Sequence, residues 1–517
     1  MPTISGDKPS PLQTPRVQSS RRPVAAPTVP RLLPLLLTPL VMVVHGYHPF
    51  AGDAGLYTAG VRHILNPELY PHNAVFVTAF THRSVFPWIL AALVRLTHLP
   101  LAWILLAAHL FLIWLFLTAA ARLASRLIPL RSASICASFL AAACCTLPVA
   151  GTALVLMDPY VTARSLSTPL SLLAVTASLG RKAPLTIVLV ALTTFAHPLM
   201  GVYTAAFVLL QALVVSHRIR SALVLCAAAF TLAGVAFALA QGTPIDPAYR
   251  QAVSLAPRSF LFLARWRWYE LLGVLLPLLL HAIALRRAGT HTPIGTLCLT
   301  SILLGTTTLL IAACFVPPGG PYFLVPFQVL RSFHLIYCIG VILCGGLLST
   351  VARHSRRWSN VLVPILLVFL FSAMFMVERV EWPGVRRLEL PGLNPNNPYV
   401  QAFLWIRTRT PPDAIFAFNP RLVYLPDEDE QGFRALSERD QLADDKDAGV
   451  AAVIPALAPR WAIQRNAEIS IDQMSDAERL ATLKRLGASW LLLPPSASTA
   501  LPCPFRNPAI QVCRLTP

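Results

Sequence analysis

The residues best suited to chemistry are concentrated in one stretch near the start of the chain. It runs from His45 to Arg83 between two apolar segments and contains the carboxylates Asp53 and Glu68. It also holds five of the chain's 13 histidines, at positions 45, 48, 63, 72 and 82. The first 377 residues contain only four other carboxylates, Asp7, Asp158, Asp246 and Glu270. A general base must accept a proton from a reacting group, and this stretch offers the main candidates for one.

The composition indicates that these residues belong to a helical membrane protein. The 517 residues are 55% hydrophobic and only 13% charged, with a mean hydropathy of +0.61, which excludes an ordinary soluble globular protein. Repeated apolar runs are long enough to cross about 30 Å of hydrocarbon. We therefore expect several membrane-spanning helices to position the first loop.

The net charge of +19 does not indicate a nucleic-acid-binding protein. The arginines form short clusters that alternate with apolar runs, and no basic face or nucleic-acid-binding motif is present. Anionic lipid head groups on the cytoplasmic side are the simpler partner for these clusters.

The basic clusters also predict the topology. Residues 1–31, rich in Pro, Ser and Arg, are expected to form a disordered cytoplasmic segment. Placing the five later clusters on the same side predicts about eleven spans, with the N-terminus inside and the C-terminus outside. The spans are expected near residues 32–47, 99–121, 132–150, 168–180, 183–197, 199–215, 221–240, 267–285, 293–315, 329–350 and 359–377. In this topology the carboxylates of residues 32–377 collect on the outer side.

The first external loop, residues 48–98, includes an apolar segment that is too short to span. Residues 84–98 read SVFPWILAALVRLTH, and Arg95 interrupts the apolar run. We predict an amphipathic helix lying on the outer leaflet, because a full span here would reverse all later helices and place the basic clusters outside.

Residues 378–517, called the tail below, differ in composition from the rest of the chain. The tail holds 17 of the 23 carboxylates and has no run long enough to span. Its pattern predicts a small extracytoplasmic α/β domain of about 140 residues, with residues 510–514 as a possible edge strand. Cys503 and Cys513 form a disulfide if the compartment is oxidising; two unpaired thiols are the alternative.

The layout resembles the GT-C superfamily of integral membrane glycosyltransferases, which includes protein O-mannosyltransferases and the aminoarabinose transferase of lipid A. The likeness rests on an Asp in the first external loop (Gly52-Asp53-Ala54-Gly55), the interfacial helix, and a following span that ends in Arg122 and Arg126. The stretches GDAGLYTAGVRHILNPELYPHN, TPPDAIFAF, DEDEQGFRALSERDQLADD and GASWLLLP are similar to bacterial members. The aromatic-plus-acid motif of oligosaccharyltransferases is absent, which argues against transfer of an Asn-linked glycan.

The resemblance implies transfer of a sugar from a polyprenyl-phosphate carrier to an acceptor at the outer face of a bacterial inner membrane. It also implies that Asp53 is the catalytic base or organises the site; a turn-forming Asp is the alternative. Flanking glycines at 52 and 55 allow a ligand to approach the backbone closely. The acceptor is not determined by the sequence.

Other polar residues near the predicted outer side are candidates for the same site. Asp158 is a second catalytic carboxylate, with Arg164 as a phosphate ligand, or the two form an internal ion pair. His197 contacts substrate or is an interfacial histidine at a proline kink. Arg331 and His334 share a helix face, with Arg331 binding phosphate or extending to lipid head groups.

A divalent metal is an open expectation. Asp53 and His48 are the candidate ligands, but His45-x-x-His48 is too loose a pattern to specify a ligand set. Glu68 is a further substrate-binding candidate or caps a short helix.

Two other function classes remain open. A transporter or flippase of a lipid-linked substrate would be expected to show two similar halves, and no internal repeat is apparent. A non-catalytic scaffold for envelope assembly would use the tail as a binding module.

Overall fold

The structure, a computed structural model, describes residues 32–255 and 260–515. These residues are mainly helical, and a small sheet lies near the C-terminus. The predicted disordered segment 1–31 falls outside the described residues. The helices are α1 Leu32–His45, α2 Gly52–Leu65, α3 Ala74–Thr78, α4 Phe86–Thr97, α5 Leu101–Leu127, α6 Arg131–Ala143, α7 Ala163–Leu179, α8 Ala183–Ala196, α9 Pro198–Val215, α10 Ile219–Ala240, α11 Pro247–Leu255, α12 Trp268–Ala288, α13 Pro293–Phe315, α14 Phe333–His354, α15 Val363–Glu381, α16 Pro398–Arg409, α17 Phe433–Ser437, α18 Asp447–Val453, α19 Ala458–Glu468 and α20 Asp476–Lys484.

Seven helical segments in the described residues are long and apolar enough to cross a membrane, so the expectation of about eleven spans is not confirmed. The seven are Leu101–Leu127, Pro198–Val215, Ile219–Ala240, Trp268–Ala288, Pro293–Phe315, Val325–His354 and Trp358–Glu381. The helices found at the remaining predicted spans are shorter. At about 1.5 Å per residue, the 14-residue helices α1 and α8 extend only about 20 Å. The prediction of a helix over 132–150 was wrong at its end, because α6 stops at Ala143 and Pro148 bridges Val155 instead.

Close packing of small residues joins the helices in the centre of this region. Ala119, Ala120 and Ala121 of α5 are fully buried. On α14, a Cβ at Gly345 would lie 2.5 Å from the Cα of Ala137 on α6, so the two backbones nearly touch. Small residues at helix contacts are typical of membrane helices, because lipid supplies no hydrophobic force between them. By contrast, α10 buries only Ala222 and Ala233 and exposes large apolar side chains such as Val224, Leu232 and Leu239, as expected of a helix with one face toward lipid.

The short helix predicted within residues 84–98 is confirmed as α4. Arg95, which interrupts its apolar run, donates to the carbonyl of Ile64 at 2.7 Å. The Arg95 side chain therefore donates a hydrogen bond to a carbonyl at the end of α2, one of those that have no partner within the helix, instead of entering the hydrocarbon. This contact ties α4 to the helix that carries Asp53.

The α/β pattern of the tail is confirmed. Its five strands are β1 Ile415–Ala417, β2 Asp440–Gln441, β3 Trp490–Leu493, β4 Phe505–Arg506 and β5 Gln511–Arg514. They are arranged in the order β2-β1-β3-β5-β4, in which β1 pairs in parallel with β2 and β3, and β5 pairs antiparallel with β3 and β4. The expected edge strand at 510–514 is therefore interior, since β4 covers it. Cys503 and Cys513 are disulfide-bonded.

Backbone hydrogen bonds hold the tail against the first loop. The Gly52 N–H donates to the Glu430 carbonyl, and the Gly432 N–H donates to the Phe50 carbonyl, each at 2.9 Å. A Cβ at Gly55 would lie 2.9 Å from the Cα of Gly432. Gly55 thus admits the backbone of the tail, and we call this contact between residues 50–55 and 430–432 the glycine seam.

Replacing Gly55 with Ala should weaken the glycine seam. The new methyl group meets backbone atoms that cannot rotate away, so we expect a loss of about 1–3 kcal/mol in the free energy of unfolding, measured in detergent. Gly449→Ala in α18 is the matched control, because nothing lies within 4 Å of a Cβ there. Equal stability of the two variants would contradict the role of this contact.

Candidate functional site

Asp53 lies in the first turn of α2, where the N-terminal backbone N–H groups favour a carboxylate. Its side chain is 38% exposed, whereas both neighbours, Gly52 and Ala54, are buried. Gly52 has φ +53°, and a Cβ there would lie 2.6 Å from the hydroxyl of Tyr160. The backbone therefore leaves the Asp53 carboxylate accessible while the rest of the turn is packed.

A buried ion pair from the second predicted outer loop faces Asp53. Arg164 donates to both oxygens of Asp158, at 2.8 and 2.9 Å, and its Nη2 lies 3.5 Å from the nearer Asp53 oxygen. Thr162, which caps α7, also donates to Asp158 at 3.1 Å. Burial alone would lower the pKa of Arg164, but the two carboxylates outweigh it and hold the pKa above its usual range. Arg164 is therefore a fixed cation that joins Asp158 to Asp53.

The tail contributes a second cation. The ammonium group of Lys446 lies 3.6 Å from the other Asp53 oxygen and 2.9 Å from Glu430. Lys446 precedes α18, and Glu430 belongs to the glycine seam. The seam therefore brings Lys446 to the side of Asp53 that Arg164 does not occupy.

These cations keep Asp53 ionised. Burial would raise the pKa of its carboxyl, but the charges of Lys446, Arg164 and Arg331 reverse that effect and hold the pKa well below its usual range. An ionised carboxylate with so low a pKa orients a hydroxyl group well but removes its proton poorly. A bound anion that neutralised the cations would raise this pKa.

Arg331 has a different environment from the other two cations. It lies just before α14, in a short helical turn, and its guanidinium stacks on the ring of Phe260 at 4.6 Å. Within residues 32–255 and 260–515, its side chain makes no hydrogen bond or ion pair, and its Nε is buried without a partner. An arginine so placed has donors to spare for an anionic ligand.

The two candidate histidines, His197 and His334, lie close to these charged residues, but each makes a hydrogen bond that stabilises the fold. The Nδ1 atom of His197 accepts a hydrogen bond from the Met200 N–H at 3.4 Å and so caps α9. His197 remains partly exposed near Arg164 and Arg331. His334 is fully buried, and its Nε2 meets the carbonyl of Leu156 at 3.1 Å. His197 alone is thus accessible to a ligand.

Two candidates are not brought to Asp53. Glu68 is exposed beyond the far end of α2, about 20 Å along the helix from its first turn. His48 is fully buried, stacks on Trp382 and lies between the carboxylates of Glu378 and Glu389, at 3.3 and 2.9 Å. Across the part of the chain that the structure describes, no three His, Cys, Asp or Glu side chains are arranged to hold a metal ion.

Sequence reasoning did not select Lys446 as a site residue, although a feature of the sequence singles it out. It is one of only four lysines in the chain and interrupts a run of acids, ADDKDAG. In sequence, the acidic run at 427–430 is typical of a solvated loop, one that could reach over the site. Glu430 does take part in the cluster, but Glu428 is fully buried, so a solvated loop is the wrong description there.

No family model and no curated protein sequence matches the chain.

The His48 cluster predicts how stability depends on pH. Burial would lower the pKa of His48, but the Glu378 and Glu389 carboxylates outweigh it and raise the pKa above 6.5. The folded state therefore holds this proton more tightly than the unfolded state. The associated stability is complete below about pH 6.5 and is lost as pH rises through the folded pKa.

We therefore expect the unfolding temperature of the wild type to fall between pH 6 and pH 9 by more than that of His48→Gln. Each unit of pKa elevation corresponds to about 1.4 kcal/mol. Parallel pH profiles for the two proteins would contradict a charged His48.

Proposed function

We propose that the chain is a membrane glycosyltransferase of the GT-C type, which moves a sugar from a polyprenyl-phosphate carrier to an acceptor at the outer face of a bacterial inner membrane. The observation that supports this proposal is the arrangement around Asp53. The accessible carboxylate of Asp53 lies 3.5 Å from Arg164 of α7 and 3.6 Å from Lys446 of the tail, and Arg331, in the turn before α14, is close enough for its charge to act on Asp53. Such an arrangement suits a reaction between a hydroxyl group and a phosphate-linked carbon.

In the proposed reaction, the acceptor oxygen attacks the anomeric carbon as the bond from that carbon to the phosphate oxygen breaks. The bonding electron pair leaves on the carrier phosphate, which changes from a monoanionic diester to a monoester that carries more negative charge. Fixed cations that meet charge as it develops stabilise the transition state. Arg331 is the proposed main phosphate ligand, because Arg164 is already engaged by Asp158 and Lys446 by Glu430.

Asp53 would take the acceptor's proton. Its low pKa in the free protein argues against a strong base, but that pKa depends on uncompensated positive charge. When the carrier phosphate binds to the cations, their effect on Asp53 weakens and its pKa rises. The proposal therefore assigns Asp53 to orient the hydroxyl group first and to accept its proton once the donor is bound.

Asp53→Asn should abolish transfer without unfolding the protein. The amide cannot accept a proton, and we expect a loss of at least about 100-fold in the rate of donor consumption. Arg164 and Lys446 keep their contacts to Asp158 and Glu430, so the fold should persist. The measurement is mass spectrometry of lipids extracted from proteoliposomes given a panel of polyprenyl-phosphate sugars and membrane acceptors.

Asp246→Asn is the matched control, because Asp246 is exposed and, among the residues that the structure describes, its side chain accepts a hydrogen bond only from the Ala248 N–H. Donor consumption by Asp53→Asn at the rate of this control would reject the proposal. Movement of the donor across the bilayer without a covalent product would instead identify a flippase.

Arg331→Gln should impair use of the donor. A lost hydrogen bond to a charged phosphate costs about 1.5–3 kcal/mol, so we expect kcat/KM for the donor to fall about 10-fold to 100-fold. Arg331→Lys should restore part of it, since the charge remains. Arg265→Gln is the control, because Arg265 also stacks on a phenylalanine ring, that of Phe262, yet is exposed. Equal kcat/KM values for Arg331→Gln and this control would remove Arg331 from the site.

A further inference from the structure

One well-formed cavity in the described residues is not lined by Asp53. It has a volume of about 540 Å³ and is bounded by the end of α2, the start of α5, the linker 385–397 and α16. Arg62, which lines it, follows Asp53 by nine residues, about two and a half helical turns. The cavity and the Asp53 carboxylate therefore occupy opposite sides of α2.

One wall of this cavity is apolar and lies where a membrane span begins. Leu65, Val94 and Leu101 contribute to it, and Leu101 is the first residue of the candidate span α5. Next to this wall, Leu96 is 78% exposed and Trp103 is 49% exposed. Exposed apolar side chains at the end of a span are expected at the boundary of the hydrocarbon, so the cavity opens toward lipid.

The opposite wall is cationic. Glu438 forms ion pairs with Arg62 and with Arg407, the latter at 2.9 Å, so one carboxylate is shared between two guanidinium groups. Arg386 also lines the cavity, is exposed, and makes no hydrogen bond or ion pair with its side chain among the residues described. Glu389, the other acid at this wall, is committed to His48. The wall therefore carries an excess of positive charge.

We propose that this cavity binds an anionic phospholipid of the surrounding membrane, with the phosphate held by Arg386 and Arg407 and the acyl chains lying along Leu65, Val94 and Leu101. Arginine binds phosphate through paired donors, and the apolar wall continues into the bilayer. Because the linker, α2 and α5 all contribute to the cavity, the bound lipid fastens the tail to the membrane region. This site is separate from the proposed sugar-transfer site.

The test is native mass spectrometry of the full chain in detergent, titrated with phosphatidylglycerol in the presence of excess phosphatidylcholine. The variant Arg386→Gln/Arg407→Gln should bind phosphatidylglycerol about 30-fold more weakly than wild type, since each arginine near a membrane surface contributes about a fivefold factor. Arg421→Gln/Arg485→Gln removes the same charge from exposed positions of the tail that do not line the cavity, and should bind like wild type.

Ala102→Trp provides a second variant that leaves every charge in place. Ala102 lines the cavity and is partly exposed, so the larger side chain fills the apolar part without entering the core. It should also reduce lipid binding. Asp53→Asn should not, which separates this site from the transferase proposal.

Equal binding by the Arg386/Arg407 variant and its control would overturn the proposal. Displacement of the lipid by millimolar inorganic phosphate would also overturn it, because the site would then recognise free phosphate. A peptide or sugar that co-purified with the protein in place of lipid would likewise overturn the proposal.

Discussion

The glycine seam is the contact on which the candidate site depends. Gly55 and Gly432 lack side chains at the point where the first loop and the tail meet, so the two backbones approach within hydrogen-bonding distance. This approach places Glu430 and Lys446 of the tail beside Asp53 of the loop. We expected the glycines around Asp53 to admit a ligand. The structure instead uses Gly55 to admit the tail and Gly52 to admit Tyr160.

The charges at the site are balanced but unevenly shared. The carboxylates of Asp53, Asp158 and Glu430 lie within 4 Å of Arg164 or Lys446, and a third cation, Arg331, is near enough to feel the charges of Asp53 and Asp158. Arg164 and Lys446 each have a carboxylate of their own within 2.9 Å, and both also reach toward Asp53. Arg331 stacks on an aromatic ring instead. Because burying a charge without a partner is costly, such an arginine is expected near a cavity or a ligand. This difference between Arg331 and the other two cations is the reason for proposing Arg331 as the phosphate ligand.

The tail is attached to the helices at several points besides the seam. Tyr47 exchanges backbone hydrogen bonds with the linker at Arg387 and Glu389, and the Tyr70 hydroxyl donates to the carbonyl of Arg434. The buried His48 cluster lies beside the first of these contacts. A movement of the tail relative to α2 would therefore change both the Asp53 site and the cavity on the other side of this helix.

The sequence by itself determined that apolar helices dominate, that a short helix lies within the first loop and that the tail has α/β character, because these follow from local hydrophobic patterns; it did not determine how many helices are long enough to span. It also selected Asp53, Asp158, Arg164 and Arg331, since carboxylates are scarce before residue 378 and arginines are costly in apolar helices. Only the tertiary structure decided that Lys446 joins them, that Glu68 does not, and that His48 is held by two carboxylates. These outcomes depend on which distant backbones approach each other, and hydrophobic periodicity carries no information about such pairings.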